Sequence, residues 1–397
     1  MIEIAERVKY MSESETLAMA RMSRELRAKG HDVISLSLGE PDFDTPDFIK
    51  QAAHEAIDQN YSHYTPVAGY DELLEAICEK FTRDNDLHYQ KNQVVVSTGA
   101  KQCIANTMLA LVNPGDEVLM PAPYWVSYRE IIRLAGGIPV EIFAPIEADF
   151  KITPEQLQMA ITPKAKVLIF SSPSNPTGSL YTRNELIALS EVIKNAPWLT
   201  VISDEIYELI NYDGQHTSIG SIQGMQDQVV TINGLSKGFA MTGWRLGYMG
   251  APTAIAQACI KIQGQVTSAT CSITQRAAIA ALKANPQQMM YMKDEFERRR
   301  NIAYKLLSEM DGLKLNKPSG AYYFFVDISH YLGKKVGSTV LHSADDFCQY
   351  LLHDAYVATV PGSAFGASNY VRISFSTTES LIREAIERIK KSLSKIS

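Results

Sequence analysis

"VVTINGLSKGFAMTGWRLGY", residues 229–248, decides how the rest of the chain is read. VVTIN is a short apolar run rich in β-branched residues, the signature of a buried strand. The segment after that strand offers two incompatible chemistries. Gly234-Leu-Ser236-Lys-Gly238 satisfies the G-x-S-x-G pattern of a serine nucleophile on a strand-to-helix elbow. The same residues present Lys237 as a primary amine, with Arg245 eight positions on. An elbow needs a helix directly after the turn, and Gly243 and Gly247 around Trp244 and Arg245 make a poor one. His330, His342 and His353 come later as candidate bases, none in a catalytic context. Ser236 therefore reads as a turn residue and Lys237 as the reactive group.

Upstream, short apolar strands recur at 93–97, 117–120, 138–142, 166–170 and 199–203, with helical patterns between several of them, such as 71–81 and 100–111. That alternation predicts an α/β fold with a mainly parallel sheet covered on both faces. Ligands of such sheets lie beyond the carboxyl ends of the strands. Earlier still, a helix capped by Ser12 or Ser14 and ended by Gly30 precedes strand 33–38, and Thr45-Pro46 predicts a helix start with Thr45 as cap. After Pro286 the pattern changes to a charged helix, strand AYYFFVDI, another helix and strand YVRISFS. The expected division is a large α/β domain over 46–285 and a smaller α+β domain from 1–45 plus 286–397.

Bulk properties narrow the function. The 397 residues are 46% hydrophobic and 21% charged, with formal net charge −6, which offers no basic face for nucleic acid. No apolar run reaches the length of a membrane span, and the charged N-terminus is no signal peptide. Five scattered cysteines without a C-x-x-C motif, and histidines without ligand spacing, argue for free thiols, no metal and a cytoplasmic location.

A reactive lysine is most useful against an aldehyde coenzyme whose ring stores electrons, and pyridoxal 5'-phosphate poses definite demands. Its phosphate needs helix N-terminal N–H groups and a cation, which Ala100, Lys101 and Arg245 can supply. Its pyridine nitrogen needs a carboxylate, and Asp204 follows an apolar strand. Its phenolic oxygen needs donors, for which Tyr207 and Asn175 are placed, and its ring needs an aromatic face, offered by Trp125. Each residue alone has a duller reading as cap, core or surface pair. Together they gather at the strand ends of one sheet.

"SSPSNPTG" (171–178), "SDEIY" (203–207), "LSKGFAMTGWRLGY" (235–248) and "YVRISFS" (370–376) resemble the aspartate aminotransferase superfamily of fold-type-I pyridoxal phosphate enzymes, in the family's order. "SLGEPDFDTP", "GAKQ" and "NPGDEVLMPAPYWVSY" are similar to its bacterial-type subgroup, some members of which also accept prephenate. The resemblance implies a seven-stranded sheet, a homodimer with shared sites, and transfer of an amino group between an amino acid such as L-aspartate and a 2-oxo acid such as 2-oxoglutarate. It also implies residue roles. Lys237 would join the coenzyme as an imine. Arg372 would clamp the substrate α-carboxylate with Asn175, Trp125 and the backbone of Gly39, and Lys101 would meet a side-chain carboxylate. Tyr64 would reach the phosphate in the partner subunit's site. Aromatic, alanine and prephenate specificities are the nearest alternatives. A serine hydrolase and a coenzyme-binding transcriptional regulator are remote ones. Two departures stand out: relatives often carry a hydroxyl where Gly234 stands, and "SATCSIT" (268–274) lacks their usual Asn-Pro, which leaves the partner-subunit phosphate contact there unassigned; Gly238, where an alanine or hydroxyl is more usual, reads as neutral.

Overall fold

The computed structural model describes residues 2–9, 11, 15–214 and 216–397, so the expected caps Ser12 and Ser14 lie outside the described residues. One sheet organises the chain. Its strands are β1 (Val94–Ser97), β2 (Glu117–Ala122), β3 (Ile138–Phe143), β4 (Ala165–Ser171), β5 (Thr200–Asp204), β6 (Val229–Gly234) and β7 (Gly247–Gly250), in spatial order β1-β7-β6-β5-β4-β2-β3. From β6 to β3 every pair is parallel, and β7 alone runs in reverse between β1 and β6.

The alternation of side chains along each strand feeds two cores. Val118, Met120, Val167, Ile169, Ile202 and Val230 pack with Cys103, Ile104 and Met108 of the helix Ala100–Leu111. Their neighbours Leu119, Leu168, Val201 and Val229 pack with Leu186, Leu189 and Ile193 of the helix Arg183–Lys194. Both faces are thus dry, which is why these strands read as unbroken apolar runs, each buried Leu or Val contributing about 1.5–3 kcal/mol.

Strand β7 escapes that reading because two of its four residues are glycine. Close approach requires both. A Cβ on Gly247 would lie 2.2 Å from the backbone nitrogen of Ala100, and one on Gly250 would lie 2.3 Å from the Tyr89 ring. Backbone-to-backbone packing, which a hydropathy pattern does not report, replaces side-chain packing here.

Beyond residue 313 four strands, β8 (Lys314–Leu315), β9 (Tyr323–Asp327), β10 (Val360–Pro361) and β11 (Tyr370–Ser374), form an antiparallel sheet in the order β10-β11-β9-β8. Phe296 and Leu307 from the helix Met290–Ser308, and Ile382 and Ile386 from the helix Glu379–Leu393, belong to the core beside it. The N-terminal strand Ile34–Ser35 pairs in parallel with Val357–Ala358. This pairing and the neighbouring bond from Ser374 N to Leu36 O, at 2.8 Å, carry Ser37 and Gly39 towards β11. The helix expected after Thr45 forms as Asp47–Asp58, but Thr45 does not cap it: Pro46 occupies the cap position, and the Thr45 hydroxyl donates to Ala240 O at 2.8 Å instead. A long-range bond that fixes the loop after β6 wins over the local one.

Gly247→Ala is expected to destabilise the protein by about 1–3 kcal/mol, because the backbone it would strike cannot withdraw. Gly243→Ala, with open space around it, should stay within about 0.5 kcal/mol of the parent. Urea unfolding of the two variants checks this; equal midpoints would refute it.

Candidate active site

A cavity of about 370 Å³ opens at the carboxyl ends of β4, β5 and β6, roofed by Arg372 from β11. Ten of the eleven residues predicted from sequence line it, and only Tyr64 does not. Tyr64 is 99% exposed on the outside of its own chain. Four cations, Lys101, Lys237, Arg245 and Arg372, face the cavity against one carboxylate, Asp204. Among the described residues no histidine lines it, so Ser236, although at the wall, has no histidine base within the site. The elbow geometry is missing too, since only the 3-10 turn Thr242–Trp244 precedes β7.

Lys237 Nζ donates to Gly39 O at 2.6 Å and sits 5.8 Å from the centre of the Tyr207 ring. Among the described residues no carboxylate comes within ion-pair distance of it. Burial is the main cause that brings its pKa down to about 8, with the charges of Arg372 and Arg245 adding to the effect and those of Glu40 and Asp204 opposing it. A substantial fraction of the amine is thereby neutral and nucleophilic near physiological pH.

Asp204 ends β5 and is buried. Its Oδ2 accepts from the Tyr128 hydroxyl at 2.7 Å and its Oδ1 from Ile206 N at 3.3 Å. Burial lifts its pKa to about 6, against the lowering effect of the Tyr128 bond. Sequence reading missed Tyr128, because a tyrosine on an amphipathic helix ordinarily reads as packing. Its spacing from Trp125, one helical turn, was the available signal; the two rings meet edge to face at 5.4 Å.

An anion cradle is built by close approach. The helix Ala100–Leu111 starts after Gly99, whose φ of 85° favours glycine. The first amides of that helix have no helical acceptor, and Gly247 of β7 backs directly onto them. A Cβ on Gly99 would lie 2.5 Å from Arg245 Nη2, so glycine is what lets the guanidinium stand beside the helix start. Gly234 is constrained less severely: it pairs with Gly247, and a Cβ there would lie 3.0 Å from Gly247 Cα. A side chain at 234 would need β7 and Ile206 to give by a few tenths of an ångström. Gly238 is a correction, since a Cβ would press within 2.8 Å of Leu209 Cβ and is not neutral.

Arg372 is buried. Its Nη1 donates to Asn175 Oδ1 at 2.9 Å and its Nη2 to Ser37 O at 2.6 Å. The Tyr323 ring centre lies 4.5 Å from its guanidinium carbon and that of Phe365 5.0 Å, while Nε is buried without a partner. Lys101 Nζ lies 4.9 Å from the centre of the Trp125 ring, its pKa lowered by burial first and Arg245 second. Tyr207 completes the wall, its hydroxyl 2.7 Å from that of Tyr323.

One further acidic group, Glu205, Glu208 and His216, brings its oxygen and nitrogen atoms within 4.8 Å of one another. The ammonium of Lys80 pairs with Glu208 there, and His216 Nε2 meets Glu205 Oε2 at 2.9 Å. Both carboxylates are thus already hydrogen-bonded within the protein.

A doubly covered sheet of this order, with a desolvated amine, a buried carboxylate and an anion cradle at its strand ends, defines a fold-type-I pyridoxal phosphate protein. The family model described as aminotransferase class I and II matches residues 31–389. The chain is 47% identical over 380 residues to the aspartate/prephenate aminotransferase of Cereibacter sphaeroides, covering 95% of each. It superimposes on the aspartate aminotransferase of Rhizobium meliloti with TM-score 0.97, at 40% identity and complete coverage of both chains. It also superimposes on that of Thermus thermophilus with maleate, with TM-score 0.93, at 38% identity and coverage of 99% and 100%. The chain belongs to the class I and II aminotransferases, whose coenzyme is pyridoxal 5'-phosphate. The site fits that coenzyme in amine, carboxylate and phosphate cradle alike, the last only because Gly99 leaves the space open.

The amine of Lys237 yields a first measurement. Condensation of the coenzyme-free protein with pyridoxal 5'-phosphate should quicken as pH rises through about 8 and level off above it, because only the neutral amine attacks. Stopped-flow absorbance would test this; a midpoint above 10 would show an amine with ordinary solvation.

Proposed function

We propose that the protein moves an amino group between L-aspartate and 2-oxoglutarate in two half-reactions, as a cytoplasmic homodimer. The carrying observation is the charge arrangement of the cavity, in which four cations face one carboxylate, with Lys101 and Arg372 resting on aromatic faces rather than on acids. Such cations keep their charge available for a ligand with several anionic groups.

When bound, the coenzyme supplies an aldehyde for the substrate amine and a protonated ring that takes up the electron pair left on the α-carbon. The chain's residues do the rest. Arg245 and the amides of Ala100 and Lys101 hold the phosphate, and Asp204 pairs with the ring nitrogen. Tyr207 and Asn175 donate towards the phenolic oxygen, and Trp125 lies against the ring. Arg372, fixed by Asn175 and Ser37, orients the α-carboxylate beside Gly39. Lys237 would take the α-proton on Nζ and return it two bonds away, on the far side of the substrate nitrogen. Lys101 meets the distal carboxylate, which selects dicarboxylic substrates. In this reading residues 46–285 form the coenzyme-binding domain, with 1–45 and 286–397 closing over the substrate. Tyr64, exposed in one chain, reaches the phosphate in a second copy. The five free thiols are in keeping with a reducing compartment. Prephenate also carries two carboxylates, so the same cations admit it, as the name of the Cereibacter relative suggests.

Lys237→Ala should lower steady-state turnover by about 10²–10⁴-fold or more, and borohydride reduction of the loaded parent should leave a pyridoxyl tag on Lys237 in peptide maps. A tag elsewhere would overturn the assignment. Lys101→Ala should cost about 10–100-fold in kcat/KM for aspartate, the value of a charge-assisted bond. Turnover of alanine and phenylalanine should change by less than about threefold in that variant, and equal losses on all three would remove Lys101 from substrate selection.

A further inference from the structure

We propose that Tyr128 is a positioning residue that acts through Asp204, its hydroxyl holding Oδ2 so that the carboxylate stays anionic and aimed at the ring nitrogen of the coenzyme. The inference rests on the pairing of Asp204 with that nitrogen. It assigns work to a side chain that neither the motifs nor the charge arrangement marks out.

The geometry is one-sided. Asp204 has two protein donors, the Tyr128 hydroxyl at 2.7 Å and the more distant amide of Ile206 at 3.3 Å. The groups that bear on its charge from the surrounding elements are Tyr128 from the helix Ser127–Leu134, Glu205 next in the chain, Lys237 beyond β6 and the Cys103 thiol. Glu205 is fully buried and works against the anion, so the bond from Tyr128 first, then the Ile206 amide and the amine of Lys237, oppose both it and the burial of Asp204. Lys237 cannot do so continuously, because its nitrogen is engaged with the coenzyme for part of the cycle. Tyr128 remains throughout. It is itself buried, wedged under Trp125 with the Ser171 side chain at its hydroxyl, and so cannot swing away.

Removing the hydroxyl while keeping the ring separates this role from packing. A carboxylate that loses its short donor in a dry site takes up a proton at higher pH, and a neutral Asp204 does not hold a pyridinium. The probe is pyridoxamine 5'-phosphate, which has no aldehyde and makes no covalent bond with Lys237, so its affinity for the coenzyme-free protein reports non-covalent holding alone. Wild type, Tyr128→Phe, Asp204→Asn and the double variant would be titrated between pH 5.5 and 8.5 by fluorescence, after circular dichroism confirms the fold of each.

Tyr128→Phe should weaken binding about tenfold near neutral pH, and its affinity should fall away about one pH unit higher than that of wild type. In the Asp204→Asn background the same change should cost less than twofold. An unchanged pH profile in Tyr128→Phe, or an equal loss with and without Asp204, would overturn the proposal. Asp204→Asn binding as tightly as wild type would instead sink the underlying pairing. Should Tyr128→Phe not fold, Tyr128→His keeps a ring and an N–H donor and should hold pyridoxamine 5'-phosphate within about threefold of wild type; a tenfold loss there, equal with and without Asp204, would overturn the proposal.

Discussion

The constraint on which the rest of the structure depends is the desolvation of one amine. Lys237 Nζ meets a carbonyl, Gly39 O, and no contacting carboxylate among the described residues. Had an acid stood beside it, the ammonium would have been stabilised and the nitrogen lost as a nucleophile. Instead burial and two guanidiniums hold its pKa at about 8. The segment carrying Gly39 comes from the N-terminal strand and Arg372 from β11, whereas Lys237 follows β6. The amine is therefore tuned by elements more than a hundred residues apart, and correct joining of the two sheets is a chemical requirement as well as a structural one.

The second requirement is close approach. Gly99, Gly234 and Gly247 form one tight contact in which β6, β7 and the start of the helix Ala100–Leu111 touch backbone to backbone. This contact brings Arg245 against free helix amides, so that two sources of positive potential converge on one point. A side chain at any of these positions would separate them. The reversed direction of β7 follows from the same need, since the chain must turn back after the Lys237 loop to carry Arg245 beside Gly99.

How far the sequence revealed this depended on the kind of packing at each place. β2, β4, β5 and β6 were legible because strands buried on both faces leave continuous apolar runs. The residues beyond their ends were legible because lysine, arginine and aspartate are seldom buried without a purpose. β7 was not legible in hydropathy, because glycine at 247 and 250 answers to neighbouring backbone and rings rather than to solvent. Thr45 misled because Pro46 takes the cap position and the Thr45 hydroxyl turns to donate to a distant carbonyl that sequence does not display. Gly238 misled similarly, since the Leu209 side chain that fills its space comes from another segment. Tyr128 was hidden for the opposite reason: its ring satisfies an ordinary packing pattern, and only the third dimension places its hydroxyl on Asp204.

Two cations of the cavity show how a buried positive charge is held without an acidic partner. A buried cation usually needs an anionic partner, and breaking such a pair to admit a ligand would cost several kcal/mol. Arg372 avoids this cost. It spends two donors on neutral oxygens and lies over the Tyr323 and Phe365 rings, with Nε left unpartnered. Lys101 rests over Trp125 in the same manner. Aromatic faces and carbonyls compensate only part of the lost hydration, so both charges remain under-satisfied in the free protein. In the proposed function, selection for two acidic groups rests on these charges of the free protein.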